Sequence, residues 1–109
     1  MDGRRKRIAK SYNAFVKAIR KTHKPSEVET RLRYEPLDDR FEVTATYTIP
    51  PGAHPMNIDG DLYDAFDASG LADAFEWIDS GTMIKRQGDG FVPTRRDITW
   101  AEIDTYDLD

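Results

Sequence analysis

Asp59, Asp61, Asp64 and Asp67 crowd one short stretch, and of all the residues in this chain their type and spacing come nearest to metal chemistry. A calcium loop needs Asp-x-Asp-x-Asp-Gly with a glutamate at the twelfth position, so that one sharp turn surrounds the ion with oxygens. Here Gly60 falls between two aspartates, Leu62 and Tyr63 occupy loop positions, and no third aspartate follows at the required step. The run reads instead as acids at a helix start, with Asp59 or Asp61 as the cap, where the helix dipole favours negative charge. No metal or cofactor is expected.

Nucleophilic catalysis has as little to work with. The chain has no cysteine, which excludes thiol chemistry, cysteine-ligated zinc and a disulfide scaffold, and it has only two histidines. His23 reads as a solvated residue at the end of a basic helix, where a cation complements the dipole, and His54 reads as part of a proline-rich loop. Asp38 and Asp39 are adjacent at a turn and point apart, so they make a poor acid/base pair. Gly88-Asp89-Gly90 is too short to cradle phosphate and lacks a following Lys-Ser/Thr. No lysine has an acid two positions before it, as a metal-dependent nuclease strand would often show. The chain is read as non-catalytic.

Its charge says more. The 109 residues carry a formal −4, but residues 1–24 hold nine bases against the single acid Asp2, a net +8, and the remaining seven bases against nineteen acids leave −12. The bases are Arg4, Arg5, Lys6, Arg7, Lys10, Lys17, Arg20, Lys21 and Lys24. At about 100° per residue, Lys6, Lys17, Lys21 and Lys24 fall within about 40° of Lys10, while Ile8, Tyr12, Phe15 and Ile19 cluster on the opposite side. The spacing predicts a helix from Arg5 to about Lys21, basic on one face and buried on the other. A flexible basic arm, residues 1–6, precedes it, and Lys24-Pro25 ends it.

Two alternating runs follow, Val28–Tyr34 and Phe41–Ile49, separated by Glu35-Pro36-Leu37-Asp38-Asp39; they read as an antiparallel hairpin with one wet face. Pro50-Pro51-Gly52-Ala53-His54-Pro55 reads as an ordered surface loop. Leu62, Ala65 and Phe66, then Leu71, Ala74, Phe75 and Ile78, each followed by Ser-Gly, predict two short helices bent at Gly70. Thr82–Gln87 and Phe91-Val92 flank a turn and predict a second hairpin. Residues 98–103 fit either an alternating strand or a short helix opened by a Thr99/Glu102 capping box, and the box favours the helix.

The expected architecture is one α+β domain over residues 1–109: an N-terminal amphipathic helix packed on antiparallel β-hairpins, in the order α-β-β-α-α-β-β, with the C-terminal segment a short helix or a strand. Its core should join Ile8, Tyr12, Phe15 and Ile19 to Leu32, Phe41, Val43 and Tyr47. The basic start lacks the apolar segment of a signal peptide, and no run of about 18 apolar residues occurs. A cytoplasmic protein with no membrane partner is expected.

Two binding functions fit this charge pattern. In the first, the nine bases of the N-terminal helix dock on nucleic acid or a nucleoprotein. Four bases at a helix start oppose the macrodipole and so are not there for helix stability. In the alternative, the protein is an inhibitor or adaptor, comparable in size and charge to phage anti-defence or immunity proteins. Asp59, Asp61, Asp64, Asp67, Asp73, Glu76 and Asp79 would meet a basic, nucleic-acid-handling protein, with Trp77 as anchor. A homo-oligomer pairing the basic helix of one copy with the acidic body of another is a third reading.

Overall fold

The stripe of Ile8, Tyr12, Phe15 and Ile19 lies along one side of an α-helix, α1 (Asp2–Ile19). The computed structural model describes residues 2–50 and 55–103 of the chain. Ile8, Phe15 and Ile19 are buried; Tyr12 packs against them and donates its hydroxyl to Thr30 Oγ1 at 3.0 Å. The helix takes in residues 2–6, which the sequence reading set apart as a flexible arm. Arg4 supplies the reason: its guanidinium clamps Glu102 at 2.8 and 2.6 Å and the Asp39 carbonyl at 2.8 Å, holding the first turn against the opposite end of the chain. At the other end the amides of Thr22 and His23 both reach the Ile19 carbonyl, at 3.1 and 2.9 Å, closing the helix before Lys24-Pro25.

Strands β1 (Val28–Glu35) and β2 (Arg40–Thr48) form the first hairpin as expected, with Leu32 opposite Val43 and Glu35 opposite Arg40. In the connecting turn Asp39 adopts φ 48°, a left-handed conformation that aspartate tolerates because its short side chain bonds locally. Here it accepts from Tyr34 Oη at 2.7 Å. Along β2, Phe41, Val43, Ala45 and Tyr47 are buried while Glu42, Thr44 and Thr46 are half-exposed. One face of the sheet is therefore covered and the other is wet.

Of the proline-rich segment, residues 51–54, including His54, lie outside the described residues. Pro55 opens α2 (Pro55–Ser69), a position where its missing amide costs nothing. Asp59 and Asp61 therefore lie inside the helix and cap nothing, against expectation. Gly70, at φ 87°, ends α2 and leads into a single 3-10 turn, Leu71–Asp73.

The second of the two expected short helices does not form. Phe75 begins β3 (Phe75–Gln87), which pairs along its length with β4 (Gly90–Glu102), so the order is α-β-β-α-β-β with one intervening turn. The C-terminal segment is strand, not capped helix. β4 lies between β2 and β3, in the antiparallel order β1-β2-β4-β3, and buries Ile98 and Trp100 under the helices. The Glu102 carboxylate that a capping box would use accepts from Arg4 and from the Phe41 amide at 3.1 Å instead.

Both helices cover the same face of the sheet, and an aromatic cluster joins the layers. The Phe66 and Trp100 rings stack at 4.4 Å, and Phe15 meets both edge-on at 5.6 and 5.9 Å. At the sheet end of α2, Asp59 binds the Arg96 Nε through both oxygens at 3.0 and 2.7 Å and accepts from the buried Tyr47 hydroxyl. Arg96 also reaches Thr82 Oγ1 at 3.0 Å. Beyond this knot the β3–β4 hairpin leaves the core: residues 81–93 are all exposed. The molecule measures 53 × 29 × 21 Å, and its radius of gyration of 15.4 Å exceeds the roughly 13 Å of a spherical domain this size because of that arm.

Candidate nucleic-acid interface

Lys6, Lys10, Lys17, Lys21 and Lys24 are all exposed, the first three on the side of α1 that faces away from the sheet and the last two just past the end of the helix. Among the described residues none of the five has a carboxylate within ion-pair distance, whereas Arg4, Arg33, Arg40, Arg95 and Arg96 each do. Lys6 to Lys17 spans about 16 Å of helix axis. Over that distance a nucleic-acid duplex presents about nine phosphate charges.

The nine bases singled out from sequence do not act as one set. Lys6, Lys10, Lys17, Lys21 and Lys24 form the ridge, with Arg5 and Arg7 exposed beside it. Arg4 is committed internally: its hydrogen bond to Glu102 holds the guanidinium protonated well above its ordinary range. Arg20 is half-buried, with Nη1 3.4 Å from the His23 carbonyl.

The structure adds two bases that sequence reading passed over. Arg31 and Arg95 lie on the wet face of the sheet, lining with Arg20, Thr44 and Thr46 an open depression of about 530 Å³ around the C-terminal end of α1. The alternation that turns Leu32 toward the core places Arg31 on the polar face, but only strand order brings Arg95 beside it. The depression is polar and open, and Glu29 shares its lining with the three arginines.

His23 is not solvated. Its side chain keeps 12% of its exposure, forms a 2.9 Å hydrogen bond through Nε2 with Asp61, and places Nδ1 3.6 Å from Glu27. This pair links the end of α1 to α2.

The acidic residues also divide. Asp59 is tied to Arg96 and Tyr47 and is largely covered, whereas Asp61 bonds His23 and stays half-exposed. Asp64 and Asp67 on α2, Asp73 in the turn, and Glu76 and Asp79 on β3 are exposed, and among the described residues none has a basic partner. Trp77, between Glu76 and Asp79 in the sequence of β3, is 54% exposed.

Among the described residues no group of three or more histidine or acidic side chains is placed to hold a metal ion, and no helix is long and apolar enough to cross a membrane. Comparison of the chain with protein-family models, curated proteins and solved structures finds no match.

Proposed function

We propose that this protein is a non-catalytic nucleic-acid-docking domain that meets the phosphate backbone with the lysine ridge of α1, continued around its C-terminal end by Arg31 and Arg95. The observation that carries this reading is that three exposed lysines, Lys6, Lys10 and Lys17, share one side of the helix and two more, Lys21 and Lys24, are exposed just past its end, none with an acidic partner among the described residues. Like charges held together cost stability, and a polyanion removes that cost while releasing its own counterions. Lysine contacts of this kind supply affinity and register without reading base sequence.

Titrating a labelled duplex across a salt series tests it. Binding should weaken steeply with salt. Changing Lys10, Lys17 and Lys21 together to glutamate should lower affinity at least about ten-fold and cut the log–log salt slope by about three. These side chains are exposed and have no ion-pair partner among the described residues, so the variant should still fold, with a small loss of stability from acids at the C-terminal end of α1. Unchanged binding would exclude the ridge as the docking surface.

The second reading, inhibition or adaptation through the acidic surface, is favoured by the exposure of Trp77 on β3 and of the unpaired acids Asp64, Asp67, Asp73, Glu76 and Asp79 among the described residues. It predicts a basic protein partner retained after nuclease treatment. That partner should be lost when Asp64, Asp67 and Asp73 become lysine, and kept when the α1 lysines are reversed.

A further inference from the structure

β3 is an edge strand of 13 residues with β4 on one side and, among the described residues, no strand on the other. A typical strand has about five or six residues. An open edge this long is a template for another strand, and four of its side chains are large, apolar and exposed: Trp77, Ile78, Met83 and Ile84, at 54, 40, 58 and 60%.

The order of residues along β3 identifies the occupant. Its first half carries Glu76, Trp77 and Asp79, and its second half Ile84, Lys85 and Arg86, with Gly81 between them. Glu76, Asp79, Lys85 and Arg86 are exposed and have no ion-pair partner among the described residues. A strand whose two halves are complementary pairs best with an inverted copy of itself.

We propose that β3 of one copy pairs antiparallel with β3 of a second copy about a two-fold axis near Gly81, joining two four-stranded sheets into one of eight strands. The register with β4 determines which residues meet. Trp77 lies opposite Trp100 and so points to the helix side, while Asp79 lies opposite Thr99 on the wet side, because Ile78 is the extra residue of a bulge. From Asp79 onward the alternation sets Met83 and Lys85 on the wet side and Ile84 on the helix side. With the bulge accommodated, Trp77 of each copy faces Ile84 of the other, and Glu76 faces Lys85. The axis stands perpendicular to the sheet, so all four helices share one side and both α1 lysine ridges belong to one assembly.

Sedimentation of the whole protein over a micromolar concentration series tests this without any nucleic acid. The expected species has twice the 12.5 kDa of one chain. Glu76→Lys and Lys85→Glu should each weaken association about ten-fold, since each reversed pair occurs twice in the dimer and like charges then face each other. The double exchange E76K/K85E should return association to near the parent value. Both side chains are exposed and unpaired in the single copy, so circular dichroism of each variant should match the parent. A monomer at every concentration would overturn the proposal, including one whose β3 edge proves to be covered by residues of its own chain. So would a dimer indifferent to the single reversals, or one not restored by the exchange.

Discussion

Replacing Phe15 with alanine should destabilise the protein by about 3–5 kcal/mol, the range for removing a fully buried aromatic ring from a packed core. Phe15 has no exposed surface, and its ring meets Phe66 and Trp100 edge-on, so the loss opens a void at the point where α1, α2 and β4 converge. For a chain of this length each kcal/mol corresponds to about 4 °C, so the thermal midpoint should fall by about 12–20 °C. A small domain rarely has more than about 5–15 kcal/mol in total, so the variant should approach the limit of folding. Thermal unfolding followed by circular dichroism checks this. Leu37→Ala, at a turn residue 93% exposed, is the control and should change stability by less than about 0.5 kcal/mol. A loss from Phe15→Ala as small as the control's would show that the aromatic cluster does not join the helix layer to the sheet.

Asp59→Ala should cost about 2–3 kcal/mol, through a different mechanism. The substitution removes the carboxylate that both the Arg96 Nε and the Tyr47 hydroxyl donate to. Breaking a fully buried ion pair costs about 3–5 kcal/mol, and the lower figure here reflects the 20% exposure Arg96 retains. Asp59→Asn keeps an acceptor for Tyr47 and should lose only about half as much. Equal losses from the two variants would assign the effect to packing rather than to charge. The same knot gives the protein an alkaline sensitivity. Burial first, and the hydrogen bond to Asp59 second, push the Tyr47 phenol above its ordinary value. A raised phenol pKa means the folded state favours the protonated form. Its contribution is complete below about pH 10, where a solvated tyrosine titrates, and is lost as pH climbs from there toward the folded value. Tyr47→Phe should flatten that alkaline loss.

How much of this was legible in the sequence depended on where each residue finds its partner. The faces of α1 follow from the spacing of Ile8, Tyr12, Phe15 and Ile19 alone, since a helix brings together residues three and four apart. The β1–β2 hairpin was equally readable, because alternation and turn chemistry are also local. Phe75 and Ile78 were misassigned to helix because Leu71, Ala74, Phe75 and Ile78 satisfy a helical spacing. The competing fact, that Phe75 and Trp77 lie opposite Glu102 and Trp100, is separated by more than 20 residues of chain. The Thr99/Glu102 capping signal failed for the same reason: Glu102 answers to Arg4, 98 positions away. Of the candidate site, the lysine ridge could be read directly from helical periodicity. The internal bonds of Arg4, Asp59 and Asp61 could not, because each is held by a residue distant in sequence.

The arm that leaves the core beyond Arg96 gives one strand two stabilities. At Ile98–Ala101, β4 is flanked by β2 and β3 and roofed by helices, so those amides should exchange with solvent hydrogen only when the whole domain unfolds. Past Thr94 the same strand has, among the described residues, β3 as its only neighbour and nothing buried, and its amides should exchange through a local opening that leaves the body intact. Protection should therefore fall steeply along β4, as if the strand were hinged at Arg96. The body can keep a fixed shape while the hairpin adjusts its twist to whatever lies along its edge.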